Sequence, residues 1–249
     1  ARALRLQRRA VEAVAELEAA LAVVRADPAA RPEMPLLLAE LGEAQAATGH
    51  LDAAIEAWRS ACDEWREARG SAPPLSVVLK LAGALLERGG IEEAIRRLQS
   101  ALDHPEEVSA PLAERMEAHR LLGWAWNRRG EPVLALRHAR EAWRLATSAP
   151  AVSSAERAIV YADLAALHLA IGDAARAADF AQNAVAEWGR ASLTNQESLA
   201  AAWVLLGEAN NRLQRYLDAA RAWSNAAVAV AGTGGDRRLQ WVRTRTQET

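Results

Sequence analysis

Five histidines, one cysteine, nine tryptophans and one glycine-rich run are the parts of this 249-residue chain whose types are suited to chemistry. His50, His104, His119, His138 and His168 would each suit a metal ion or a proton-transfer step. A metal site needs several ligands converging on one point, with partners behind them. The histidines are scattered along the chain; His119 and His138 alone fall on helices expected to pair, so isolated histidine is the reading for all five. Cys62 has no second cysteine for a disulfide and no histidine nearby to draw off its proton, which reads as an inert, buried thiol. Gly232-Thr233-Gly234-Gly235 lacks the lysine of a phosphate loop and follows a helix, so it reads as a helix terminator. No H-E-x-x-H, C-x-x-C or G-x-S-x-G occurs. The sequence therefore points away from an enzyme and calls for no cofactor or metal.

The tryptophans need an account, because Ala, Leu, Glu and Arg dominate the chain and other aromatics are few. Trp58, Trp223, Trp203 and Trp126 fall on apolar stripes and are expected in the core. Trp65, Trp143 and Trp188 lie late in their helices and are expected to pack between neighbouring repeats. Trp124 stands two residues before Trp126 and is expected to face outward.

Such composition favours helix throughout. Net charge is −2, from 30 basic and 32 acidic residues, with Lys80 the one lysine. That balance makes no electrostatic case for direct nucleic-acid or anionic-membrane binding. No apolar run approaches the roughly 20 residues of a membrane span, and Glu12, Glu16 and Glu18 interrupt any signal core after the arginine-rich start. A cytoplasmic chain is expected. It begins at Ala1, not Met, which fits excision from a longer protein.

The positioning elements show in the stretch Leu41 to Ala61. Leu37, Leu38, Leu41, Ala44 and Gln45 recur at helical spacing, and Gly49 stops that helix. Asp52 stands where a cap would open the next, whose apolar stripe is Ala54, Ile55, Trp58, Ala61 and Cys62. Two antiparallel helices result, held close by Gly42 and Ala54. The unit then repeats. Gly49, Gly89, Gly130, Gly172 and Gln214 follow one another at 40, 41, 42 and 42 residues. Alanine stands five residues after each (Ala54, Ala94, Ala135, Ala177, Ala219) and again twelve after (Ala61, Ala101, Ala142, Ala184, Ala226). Leucine stands eight before (Leu41, Leu81, Leu122, Leu164, Leu206), and a small residue seven before (Gly42, Ala82, Gly123, Ala165, Gly207). Gln214 breaks the glycine column, so a looser turn is expected there.

Repeats are expected at 35–70, 75–104, 112–147, 154–190 and 196–231, forming a single domain over 1–249. Residues 1–30 would be an N-terminal helix or half repeat, and 237–249, with Leu239, Trp241 and Val242, a C-terminal cap or tail. Ser71 to Pro74, Asp103 to Pro105, Ser148 to Pro150 and Ser192 to Thr194 punctuate the repeats and are too short for domain linkers.

This pattern resembles the tetratricopeptide repeat over roughly Pro35 to Ala231, with Trp203, Leu206, Gly207, Ala219, Trp223 and Ala226 the best match. The family's usual 34 residues are exceeded here, as in elongated repeats of some bacterial regulators and motor-protein cargo adaptors. The resemblance implies an all-α, right-handed superhelical α-solenoid of antiparallel helix pairs, about five repeats plus flanking helices. It also implies a concave groove lined by first helices. The groove positions of the third repeat are then Arg120, Trp124, Asn127 and Arg128. Neighbouring repeats add Lys80 and Glu87 on one side and Asp163 on the other, and the fifth adds Glu208, Asn211 and Arg212. Arginine can fork onto a carboxylate, and tryptophan offers the flat apolar contact common in binding hot spots. The chaperone-tail carboxylate clamp of some relatives is not matched: its deciding column reads Glu43, Gly83, Trp124, Ala166 and Glu208. The function expected is a non-catalytic protein–protein interaction scaffold holding a peptide or protein segment. The alternatives are a sensing module of a larger protein, such as a transcriptional regulator, and self-association through open solenoid ends.

Overall fold

One backbone turn recurs five times and sets the architecture. Gly49, Gly89, Gly130 and Gly172 all hold φ between 82° and 87°. At each turn the glycine N–H donates to the carbonyl three residues back, as Gly49 does to Ala46 at 3.0 Å. The next residue's N–H reaches the carbonyl five back, as His50 does to Gln45 at 2.9 Å. This double closure satisfies carbonyls that a helix end leaves open. Gln214 takes the same form, with φ 60° and the N–H of Arg215 on the carbonyl of Asn210 at 2.9 Å. The fifth turn is therefore not looser. Its glutamine is held in a left-handed conformation that costs roughly 1–2 kcal/mol for a side-chain-bearing residue.

The computed structural model describes residues 2–103, 110–148, 152–191 and 195–231. The expected terminator at 232–236 and cap or tail at 237–249 lie outside them, as do His104 and most of the second, third and fourth inter-repeat joints. The chain divides into two compact units, Ala1–Leu121 and Leu122–Thr249. The first holds α1 (Arg2–Ala26), a 3-10 turn (Pro28–Glu33), α2 (Met34–Ala47), α3 (Leu51–Arg69), α4 (Leu75–Glu87), α5 (Ile91–Leu102) and the start of α6 (Leu112–Arg129). The second holds the end of α6, then α7 (Pro132–Ser148), α8 (Ser154–Ala170), α9 (Ala174–Arg190), α10 (Gln196–Arg212) and α11 (Tyr216–Ala231). The fold is all-α, an α-solenoid arrangement in which each helix packs on the next: α1 to α5 in turn in the first unit, α7 to α11 in turn in the second.

The repeated columns explain that packing. Ala54, Ala94, Ala135, Ala177 and Ala219 are all fully buried. Across from them stand Gly42, Ala82, Gly123, Ala165 and Gly207. Where the second helix brings an indole, the first helix has no side chain at all. A Cβ built on Gly42 would lie 2.5–2.8 Å from three atoms of the Trp58 ring, and Gly207 meets Trp223 in the same way. The Trp58 indole N–H donates to the Ala39 carbonyl at 3.2 Å, and the ring is 5% exposed. Trp126 and Trp188 are buried as expected, while Trp203 is partly buried against Ala226 and Val230. Cys62 is fully buried, and burial pushes its thiol up to about 11.

Asp52 does not cap α3: the cap position is His50, without a side-chain bond. Asp52 instead accepts from Arg88 at 2.8–2.9 Å. That pair belongs to a ladder between successive repeats of the first unit. Arg59 of α3 forks onto Glu93 of α5, with Nε on Oε1 at 2.9 Å and Nη2 on Oε2 at 2.7 Å. One turn on, Arg97 of α5 pairs with Asp63 of α3 at 2.9 Å. Mutual hydrogen bonding holds the Glu93 carboxyl below its ordinary value, against the opposing effect of partial burial.

Candidate functional site

The first helices carry the residues expected to bind. In the first unit Lys80 of α4 pairs with Glu43 of α2, an ion pair that places both on one exposed face. Glu87 is exposed at the end of α4. Arg120 is half-buried and turned back along α6, its Nε and Nη2 each 2.7 Å from a Glu117 carboxylate oxygen. It is thus occupied by its own helix, which the sequence expectation of an available guanidinium did not foresee.

In the second unit Trp124 is 39% exposed, unusual for so large an apolar side chain among buried neighbours. Arg128, one turn later, sits over its ring, with Cζ 5.3 Å from the centroid. An exposed stack of this kind contributes roughly 0.5–1 kcal/mol. It presents a flat apolar surface edged by a cation. Asn127 lies beside it, half-buried, its carbonyl closing the Gly130 turn at 3.0 Å. Asp163 is half-buried on α8. On α10, Glu208 accepts from Arg212 at 3.3 Å, and Asn211 closes the Gln214 turn through its carbonyl. Arg212 also donates through Nη1 to the Leu169 carbonyl of α8 at 2.6 Å. This bond adds to the one the Leu169 carbonyl accepts from Gly172 at 3.1 Å and ties α8 to α10, a structural task for a residue expected to bind. The structure thus joins Trp124 with Arg128, Glu208 with Arg212, and Lys80 with Glu43, while Arg120 and Arg212 are engaged by their own fold.

The second helices hold a feature that attention to first helices overlooks. In the second unit α7, α8 and α9 enclose a cleft of about 440 Å³. Arg137, Arg140 and Arg144 reach it from α7 and Arg176 from α9; Phe180 and the exposed Trp143 supply aromatic walls. Trp143 was expected to pack between repeats; it is 39% exposed because its helix position faces this opening. His168, 2% exposed, forms part of the floor and stacks on Phe180 at 5.3 Å between ring centroids. The signal available in the sequence was the charge at matched second-helix positions, which the apolar columns do not report. In the first unit, a larger cavity of about 860 Å³ lies among α3, the loop Gly70 to Pro74, the start of α4, α5 and the start of α6.

Among the described residues no group of three His, Cys, Asp or Glu side chains is placed to hold a metal ion. Among them, too, no helix is long and apolar enough to cross a membrane.

No protein-family model matches this sequence, and no curated protein matches it. Solved structures do. BtubC from P. vanneervenii superposes with a TM-score of 0.72 at 18% identity, over 94% of this chain and 93% of that one. The apo quorum sensor NprR from B. thuringiensis gives 0.71 at 13% identity, over 96% of this chain and 67% of that one. A putative kinesin light chain of Podosopora anserina, with nearly identical TPR-like repeats, gives 0.63 at 18% identity, over 82% and 98%. At such identities the likeness speaks to fold alone. Together with the five turns and the alanine columns, it establishes a TPR-type fold.

Proposed function

We propose that the chain is a non-catalytic interaction scaffold that holds a peptide or protein segment on the face its first helices share. The observation that carries this reading is the Trp124–Arg128 stack, with Trp124 39% exposed where its neighbours in the repeat are buried. A solvated face has no need of an exposed indole, whereas a binding surface uses one as an anchor. A solenoid repeat is braced by its neighbours, so such a surface is largely preorganised and loses little entropy on binding. The reading takes the five repeats as one continuous cytoplasmic solenoid acting without cofactor or nucleic acid.

The test is affinity capture from native cells with the wild-type chain and with a Trp124→Ala/Arg128→Ala variant. Both side chains are exposed, so helicity should be unchanged and stability should fall by no more than the stack contributes, about 1 kcal/mol, while the captured partner is lost. Capture that survives the double change refutes the site.

A second reading, a sensing module of a larger regulator, draws on the likeness to a protein described as a quorum sensor over 96% of this chain. Mass spectrometry of the captured material separates the two: a short peptide favours sensing, a folded protein the scaffold. Self-association through solenoid ends competes with both, and a monomer in light scattering at high concentration excludes it.

A further inference from the structure

Matching the second helices of the two units position by position exposes a reversal of charge. In the first unit Arg59 stands ten residues after its turn glycine and Glu93 four after the next one; the two are forked together. The same two positions in the second unit are Arg140 and Arg176. The next rung of the ladder, Asp63 with Arg97, becomes Arg144 with Phe180. Where the first unit closes its inter-repeat seam with ion pairs, the second puts arginine against arginine and leaves the 440 Å³ cleft. Like charges facing each other are destabilising unless an anion lies between them.

Two carboxylates stand near, Glu141 in the lining itself and Asp173 at the start of α9, and each is engaged by the arginine three residues on. Arg144 is forked onto Glu141 at 2.9–3.0 Å, and Arg176 touches Asp173 at 3.2 Å while remaining 65% exposed. Arg137 and Arg140 have no hydrogen bond or ion pair among the described residues. His168, 2% exposed, forms part of the floor, with its Nδ1 3.4 Å from the Asp173 carboxylate. Trp143 and Phe180 offer ring faces at the same place.

We propose that the α7–α8–α9 cleft is a binding site for a small planar organic anion, its carboxylate or phosphate held by Arg140 and Arg176 and its ring against Trp143 and Phe180. The volume suits a ligand of that size; small-molecule sites run to roughly 300–1,000 Å³. Paired guanidiniums favour oxyanions through forked, charge-assisted hydrogen bonds. The site is separate from the Trp124–Arg128 surface and does not rest on that reading.

Calorimetry on the full chain tests it with four probes: adenosine monophosphate, benzoate, adenosine and inorganic phosphate. At least one ring-bearing anion should bind; monophosphate alone assigns a phosphate ligand and benzoate alone a carboxylate. Adenosine, without charge, and phosphate, without a ring, should each bind about tenfold more weakly or worse. Arg140→Gln should weaken binding about tenfold, as expected for loss of one charge-assisted contact. The deciding variant is Arg176→Glu, which recreates the pairing of Arg59 with Glu93. It should raise the melting temperature and abolish anion binding together. Trp124→Ala/Arg128→Ala should leave the affinity unchanged. Failure of both ring-bearing anions to bind at millimolar concentration overturns the proposal. So does adenosine or inorganic phosphate binding as tightly as the ring-bearing anions, or anion binding that survives Arg176→Glu.

Discussion

A single methyl group at Gly42 should destabilise the first unit, and shortening Trp58 at the same contact should offset part of that cost. An added Cβ would stand 2.5 Å from Nε1, 2.6 Å from Cδ1 and 2.8 Å from Cε2 of Trp58. These are atoms of one rigid ring, not the end of a flexible chain. The ring is pinned by its bond to the Ala39 carbonyl and by burial on every side. Relief therefore means parting α2 from α3, and overpacking of this kind costs about 1–3 kcal/mol. The second repeat shows what the contact accepts instead: Ala82 and Leu98 occupy the same two columns, both fully buried. Trp58→Leu alone should cost about 2–3 kcal/mol, in the lower part of the range for large core truncations. In the double variant Gly42→Ala/Trp58→Leu the methyl enters space the indole has left. The pair should then be less destabilised than the sum of the singles by about 1–2 kcal/mol, a coupling normal for touching residues. Urea unfolding followed by far-UV circular dichroism measures all four corners of the cycle. Additive costs, or a Gly42→Ala variant within about 0.5 kcal/mol of wild type, would show that the small-residue column is not set by the indole.

Gln214→Gly should stabilise the second unit by about 0.5–1 kcal/mol, since relief of left-handed strain exceeds the added freedom of the unfolded chain; a loss of stability on thermal melting would mean that the strain is absent. Burial pushes His168 below the ordinary histidine value, and nearby Arg176 and Arg140 push the same way while Asp173 opposes them. The unfolded chain then binds the extra proton first, so stability should fall as pH drops below about 6.5. Urea midpoints between pH 7 and 5 should show that slope, and His168→Gln should flatten it; an unchanged slope would assign it to other groups, such as His138, which burial also depresses.

The pairing of helices was legible because close packing leaves few options at a column and the choice recurs. Gly42, Ala54, Leu41 and their copies sit where backbones meet, so size alone decides them, and size is visible in the residue letter. Gln214 shows the limit of that reading. Its letter suggested an altered turn, yet the hydrogen bonds closing the turn come from the backbone, and the side chain adapts to them. Asp52 shows another: an acid at a helix start suits a cap, but Arg88 from the next repeat competes for it and wins. Arg120 and Arg212 were read by type and face, and type and face do not say whether a guanidinium already has a partner on its own helix or a carbonyl on the next.

The cleft was hidden for a related reason. Its information lies in a relation between two positions about 36 residues apart, Arg140 and Arg176, and neither residue is notable by itself. Only the ladder of Arg59 with Glu93 and Asp63 with Arg97 gives those positions a meaning, because it shows which second-helix residues face each other across a seam. A repeat protein supplies its own control in this way: a seam closed by ion pairs in one place marks an unclosed seam in another. Constancy in the apolar columns reports what every repeat must do to pack. A departure in the polar columns, where packing makes no demand, is where a repeat is free to acquire a ligand of its own.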